Sequence, residues 1–212
     1  MKPDDFRFVL IGSVNISRTY VHAIDNLPVI GRQLLAKTEF TDQLLALDSL
    51  HTQHETIHQI RYDHGADYLV PLKGNQPTIR ATAQTLLPES FPLLEALAHP
   101  TYRVGGLGEQ RGGARIERWL IVRDVTSAPL GLAGAAQLAL IIRTVTANGK
   151  TTTTRNYLVT SRPAARLDPT QFLRWRRRQW GIESICHQRR DVRLHEDQSR
   201  VRSVSGVAVL GS

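Results

Sequence analysis

The order of apolar and polar positions divides this chain into two regimes. In the first, short apolar runs alternate with segments of helical period. Residues 6–11, Phe-Arg-Phe-Val-Leu-Ile, read as a strand, and residues 28–38 as a short helix with Leu34 and Leu35 on its inner face. Residues 43–48, Gln-Leu-Leu-Ala-Leu-Asp, form an apolar run ending in an acid, the pattern of a buried strand that delivers a carboxylate to the edge of a sheet. A helix is expected over 52–63, a strand over 67–73 and another helix over 76–87. Pro71 within that strand predicts an edge position or a bulge, because proline brings no N–H to a ladder. This alternation predicts an α/β sheet.

The second regime is strand-rich. Gly105, Gly106, Gly108, Gly112 and Gly113 predict a flexible loop. Strand patterns follow over 115–123, 138–146 and 152–160, and Asn148-Gly149 between the last two is a strong hairpin signal. Asp168-Pro169 then places a good N-cap before a proline at the first helical position, so a final helix starts there. The pattern is an α/β half, a β-rich insertion and a terminal helix, with no internal repeat and no low-complexity linker.

Charge changes the picture at that helix. Arg174, Arg176, Arg177 and Arg178, with Trp175 and Trp180, surround a single acid, Glu183. Residues 174–202 hold nine arginines against four acids, net +5 of the chain's +8. A lone carboxylate in so basic a helix suits a metal-holding acid on a surface that meets phosphates; the plainer alternative is a solvated amphipathic helix with an Arg–Glu pair. A pI near 10.2 favours a polyanionic partner. With 41% hydrophobic and 22% charged residues the chain is expected to fold. Cys186 is the single cysteine, which excludes an internal disulfide framework and a cysteine-based zinc site; a half-buried structural thiol is the expectation. No apolar run is long enough to span a membrane, and the N-terminus does not resemble a signal peptide, so a cytoplasmic protein without membrane contact is expected.

Two places could hold a metal. His54-Glu55-Thr56-Ile57-His58 has the spacing of a zinc metalloprotease, with His64 where a third ligand would stand. Against it, position 61 is Arg where that motif needs Gly, Met1 is the only methionine, and no Glu lies between Glu55 and Glu89. The Gly-rich stretch does not match a nucleotide-binding loop, since position 111 is Arg, and Lys73-Gly74 reverses the order of a P-loop. The second place is the pair Asp48 and Glu183, one ending an apolar strand and the other on a helix 135 residues later. Each alone reads as a cap or an ion-pair partner. Two-metal phosphoryl transfer, however, needs carboxylates that converge from separate elements.

Three blocks carry a resemblance. They are Leu47-Asp48-Ser49-Leu50-His51-Thr52-Gln53; Asp67-Tyr-Leu-Val-Pro-Leu-Lys73-Gly74-Asn75-Gln76-Pro77-Thr78, the most specific; and Trp180-Gly181-Ile182-Glu183-Ser184 with His187, Asp191 and Glu196-Asp197-x-Ser199-Arg200-x-Arg202. From about Asn26 to Arg202 the chain resembles the insertion-sequence DDE transposases of the H-repeat-associated branch. The resemblance implies a ribonuclease-H-like core, a mixed sheet with helices, interrupted by a β-rich insertion and closed by a basic C-terminal helix. Its implied division is 1–100 for the first part of the core, with residues 1–25 atypical, 101–163 for the insertion and 164–212 for the helix completing the core. It implies metal-dependent DNA cleavage and strand transfer. Asp48 and Glu183 would be the catalytic metal ligands for Mg²⁺ or Mn²⁺, with Lys73, Arg115, Arg177, Arg178 and Arg190 as DNA contacts. The partners would be element ends and target DNA, and a homodimer is left open.

The departures point to an inactive copy. The family's first aspartate is followed by Gly-Lys, and no Asp-Gly-Lys occurs in this chain; Asp4, Asp5 and Asp25 sit in other settings. Arg115-Ile116-Glu117-Arg118 is similar to a His-Gly-Arg-Ile-Glu element of the family, with Gly113 and Ala114 where its His and Gly stand. The early C-terminus, Ser205 to Ser212, adds the expectation of a truncated or frame-damaged copy. The alternatives are a DNA-binding remnant with a regulatory role, an unstable gene remnant and the zinc protease.

Overall fold

The structure is a computed structural model that describes residues 10, 11, 32, 35, 36 and 40–182. Its strands are β1 (Leu10–Ile11), β2 (Leu44–Leu47), β3 (Asp67–Leu72), β4 (Tyr102–Arg111), β5 (Ala114–Asp124), β6 (Gln137–Ala147) and β7 (Lys150–Thr160). They form one sheet in the order β1-β2-β3-β7-β6-β5-β4. β1, β2 and β3 run parallel, and every pairing from β3 to β4 across the sheet is antiparallel. The strand-rich regime therefore extends the sheet of the α/β regime, joined where β7 pairs with β3. The helices are α1 (His54–His58), continued by a π-helical turn at Gln59–Asp63, then α2 (Pro77–Leu86), α3 (Leu93–Ala98), the single turn α4 (Ser127–Leu130) and α5 (Pro169–Ile182).

A sheet covered on both faces explains why β2 and β3 are apolar without alternation: every residue of both strands is buried. Leu45, Leu47, Tyr68, Val70, Leu140 and Tyr157 point into one core with Ile57, Ile60, Ala83 and Ala96 of the helical side. Leu44, Leu69, Leu120, Ile141 and Leu158 point into the other, which is closed by Phe172, Leu173 and Trp175 of α5. Burying one such Leu or Phe contributes about 1.5–3 kcal/mol, so the faces hold β2 and β3 rigidly between them. Leu35 is buried in the first core, and Ala36 N–H bonds Arg32 O, as the expected helix requires; Leu34, and residues 6–9 of the first expected strand, lie outside the described residues.

Two expectations need correction. The glycine run is not a loop but most of β4. A Cβ on Gly105 would sit 2.9 Å from Pro169 at the start of α5, and one on Gly106 would sit 2.6 Å from the Trp119 ring. These glycines are there for close approach. Only Gly112 and Gly113 turn the chain, with φ of 57° and 78°. Pro71 is likewise not on an edge strand, since β3 lies between β2 and β7. Its carbonyl accepts from Thr52 Oγ1 at 3.3 Å, on the side where β2 has already ended, so the missing N–H costs no ladder bond.

Asn148 and Gly149 form the expected hairpin turn, both with positive φ (51° and 71°). Asp168 caps α5 through bonds from Thr170 N (2.8 Å) and Gln171 N (2.9 Å) to its Oδ1, and Gln171 Oε1 accepts from Asp168 N in return. Among the described residues no helix is long and apolar enough to cross a membrane.

Candidate active site

Parallel neighbours end at the same edge of a sheet, so the residues after β2 and after β3 come together although they are far apart in sequence. Asp48 follows β2 and Lys73 follows β3, and Lys73 Nζ lies 3.3 Å from Asp48 Oδ1. The same oxygen accepts from the Ser49 N–H, which makes Asp48 the N-cap of the 3-10 turn Ser49–His51, and from Ser49 Oγ at 3.1 Å. The two side chains differ in setting: Asp48 is 16% exposed and Lys73 is 56% exposed. A carboxylate is thus presented at the rim, held by the Ser49 N–H and touched by an exposed cation.

The turn after β3 holds the turn after β2. Gln76 Nε2 donates to Ser49 O at 2.5 Å and to Thr52 O at 3.4 Å, and its Oε1 accepts from Lys73 N at 3.2 Å. Asn75 Nδ2 donates to Ser49 O at 3.0 Å. The Lys-Gly-Asn-Gln turn is therefore the clamp that sets the Asp48 turn. Sequence reasoning assigned no role to Asn75 or Gln76. The signal was present, because the two motif blocks are the two halves of one hydrogen-bonded structure. His51 closes the Ser49–His51 turn with 1% of its surface exposed, and neither ring nitrogen bonds a described residue. Burial lowers its pKa, opposed in part by the Asp48 charge.

The other expected contacts fall in different places. Arg177 is exposed on α5 and pairs with Glu109 Oε2 at 2.5 Å, while Arg118 Nη1 reaches Glu109 Oε1 at 2.7 Å. These bonds, the Arg118 hydrogen bond first, hold the Glu109 carboxyl below the usual range. Arg115 is exposed on β5 and pairs with Glu117 at 2.7 Å. The basic helix is not uniformly a surface: Arg174 and Arg177 are exposed, but Arg176 is 7% exposed. Glu183, Cys186 and Arg190, and the side chain of Arg178, lie outside the described residues.

The zinc arrangement is not formed. His54, Glu55 and His58 are exposed on α1, His58 meets Tyr62 with ring centroids 4.8 Å apart, and His64 meets Phe40 at 5.8 Å. Among the described residues no three His, Cys, Asp or Glu side chains gather as a metal-holding group. Asp48 supplies a hard oxygen donor past the end of β2, which by itself fits one ligand of a shared Mg²⁺ or Mn²⁺ site and not a complete site.

Residues 5–210 match the family described as Transposase DDE domain. The chain belongs to this family. The mixed sheet is thus the ribonuclease-H-like sheet of a DDE transposase domain, a family that works with divalent metal ions. Two Escherichia coli (strain K12) proteins are similar to it. YbfL is 27% identical over 179 residues, and the protein named "H repeat-associated putative transposase YhhI" is 26% identical over 179 residues. Each match covers 80% of this chain and 45% of the relative, so the chain spans about half the length of these relatives.

Proposed function

We propose that this chain is the metal- and DNA-binding part of a DNA transposition enzyme, with Asp48 and Glu183 as two ligands of Mg²⁺ or Mn²⁺. Lys73, Arg115, Arg177, Arg178 and Arg190 then meet the DNA backbone. The observation that supports this best is the Asp48 turn clamped by Gln76 at the carboxyl ends of β2 and β3. That edge is where open α/β sheets bind ligands. In this reading Asp48 and Glu183 would hold the ion, which would supply positive charge for the attacking and leaving oxygens of phosphoryl transfer. Asp48 would offer the ion a carboxylate held by the Ser49 N–H, and Lys73 would add positive charge beside a phosphate.

We also propose that the 212-residue chain does not cleave DNA unaided, because it contains no Asp-Gly-Lys to supply the family's first aspartate. Two ions normally need a third, bridging carboxylate. The test is a nicking and joining assay with Mg²⁺ or Mn²⁺ and the element's own ends. The chain alone is expected to leave the DNA intact. A chimera carrying a relative's N-terminal strands with Asp-Gly-Lys is expected to cleave, and Glu183→Gln in that chimera to abolish cleavage. Cleavage by the unmodified chain would overturn the proposed inactivity and assign the missing role to Asp4, Asp5 or Asp25. Full activity of the chimera with Glu183→Gln would overturn the ligand assignment.

A further inference from the structure

Next to Asp48 the rim opens into a cleft of about 210 Å³. Lys73, Gly74, Arg80, Arg155 and Asn156 line it, and no carboxylate does. Its three cations come from three elements. Lys73 follows β3, Arg80 lies one turn into α2, and Arg155 is on β7. Arg155 stands opposite Ile142, which packs on the helical core, so it emerges on the same face of the sheet as α2. Arg80 is steadied by Glu89 at 3.3 Å, yet its buried Nε has no hydrogen-bond partner among the described residues. Arg155 is exposed and makes no ion pair with the described residues. A Cβ on Gly74 would meet nothing within 4 Å, so the mouth is open.

Lys73 and Arg80 each have one acid at 3.3 Å, Asp48 and Glu89, neither of which lines the cleft. Arg155 adds a third cation without one among the described residues, so an anion seated there would lower the repulsion among the three. Lys73 belongs to both places, touching Asp48 and lining the cleft. We propose that this cleft seats a backbone phosphate of the DNA strand that crosses Asp48, with Arg80 and Arg155 as phosphate contacts. This rests on the reading of the Asp48 edge as the place where DNA is bound. A phosphate held there orders the strand beside the carboxylate, so the two arginines set the register of the DNA on the site.

The test uses the full chain, a labelled DNA duplex and fluorescence anisotropy over a salt series. Replacing Arg155 by Gln should weaken binding several-fold and reduce the slope of log K against log[salt] by about 1 unit. Arg155→Lys should retain the slope. Arg80→Gln should act like Arg155→Gln, with the thermal melt of each variant checking the fold. Arg143→Gln is the control. Arg143 lies opposite Arg118 on the α5 face, and its removal takes away the same charge. The proposal is overturned if Arg155→Gln leaves affinity and slope unchanged, or if Arg143→Gln lowers both equally. In those cases DNA binding itself still stands. If the wild-type chain does not bind the duplex, the DNA reading of the whole site fails along with the cleft.

Discussion

Asp48 and Asp67 both stand at ends of buried parallel strands and both face a cation, but at opposite edges of the sheet. Asp67 opens β3, level with the first residue of β2, and Asp48 lies just past the last residue of β2. Asp67 is enclosed. Arg162 Nε reaches its Oδ2 at 2.9 Å, Ser161 Oγ its Oδ1 at 2.8 Å, and Arg61 and Arg166 add longer contacts at 3.8 and 4.0 Å. Arg162 is 1% exposed and also donates to Asp42 O at 3.0 Å. Asp48 instead meets an ammonium more than half exposed. A buried pair satisfied on every side ties β3, β7 and the turn at Asp42 together, and has no charge to offer a ligand. A carboxylate at the rim, held by a backbone N–H and faced by an exposed lysine, is open to a second cation. The difference separates an enclosed scaffold contact from an open rim carboxylate within one sheet.

The largest effect should come from the enclosed edge. Arg162→Met leaves Asp67 buried without its main partner and is expected to cost about 3–5 kcal/mol in urea denaturation, or to prevent folding. Lys73→Met, at the open edge, should cost less than about 1 kcal/mol, because its partner stays at the rim. It should nevertheless weaken DNA binding. Similar stability losses at the two edges would break the comparison.

Next in size is the clamp. Gln76→Ala removes donors to Ser49 O and Thr52 O and the acceptor for Lys73 N, and should cost about 1–3 kcal/mol. It should also loosen metal binding at Asp48, which calorimetric Mn²⁺ titration would detect. A variant with unchanged metal affinity would show that Asp48 needs no positioning from β3.

A smaller effect is expected from His51. Its pKa is lowered by burial, so the unfolded chain takes up a proton that the folded chain resists. The neutral ring's contribution is fully present above the unfolded value and is lost as pH falls through that value toward the folded one. Between about pH 7.5 and about pH 5 the denaturation midpoint of the wild type should drop more than that of His51→Leu. Parallel drops would show that His51 gains its proton without penalty.

Much of this was legible in the chain. β2, β3 and α2 were readable because continuous apolar runs and a proline at the first helical position report burial and helix start directly. The position of Asp48 at the strand's end was readable because the apolar run stops at it. The glycines of β4 were misread, because their need comes from Pro169 and Trp119, contacts far away in sequence. The burial of Arg176 could not be read for a similar reason: a run of arginines does not show which one turns inward until the helix is seated on β4 and β5. The Asp67–Arg162 pair left no local trace, since its members are 95 residues apart. Gln76 was visible only as a motif letter, since its partners lie on the neighbouring strand's turn.

The central claim is that Asp48 and Glu183 hold the same ion, and a double-variant cycle in Mn²⁺ binding tests it most directly. Mn²⁺ affinity of the full chain would be followed by electron paramagnetic resonance for the wild type, Asp48→Asn, Glu183→Gln and the double variant. Ligands of one site are strongly non-additive. The account expects each single change to reduce Mn²⁺ binding to background, with the double variant no weaker than either. Wild-type affinity in Asp48→Asn, or losses that simply add in the double variant, would mean that the two carboxylates serve different places and would contradict the account.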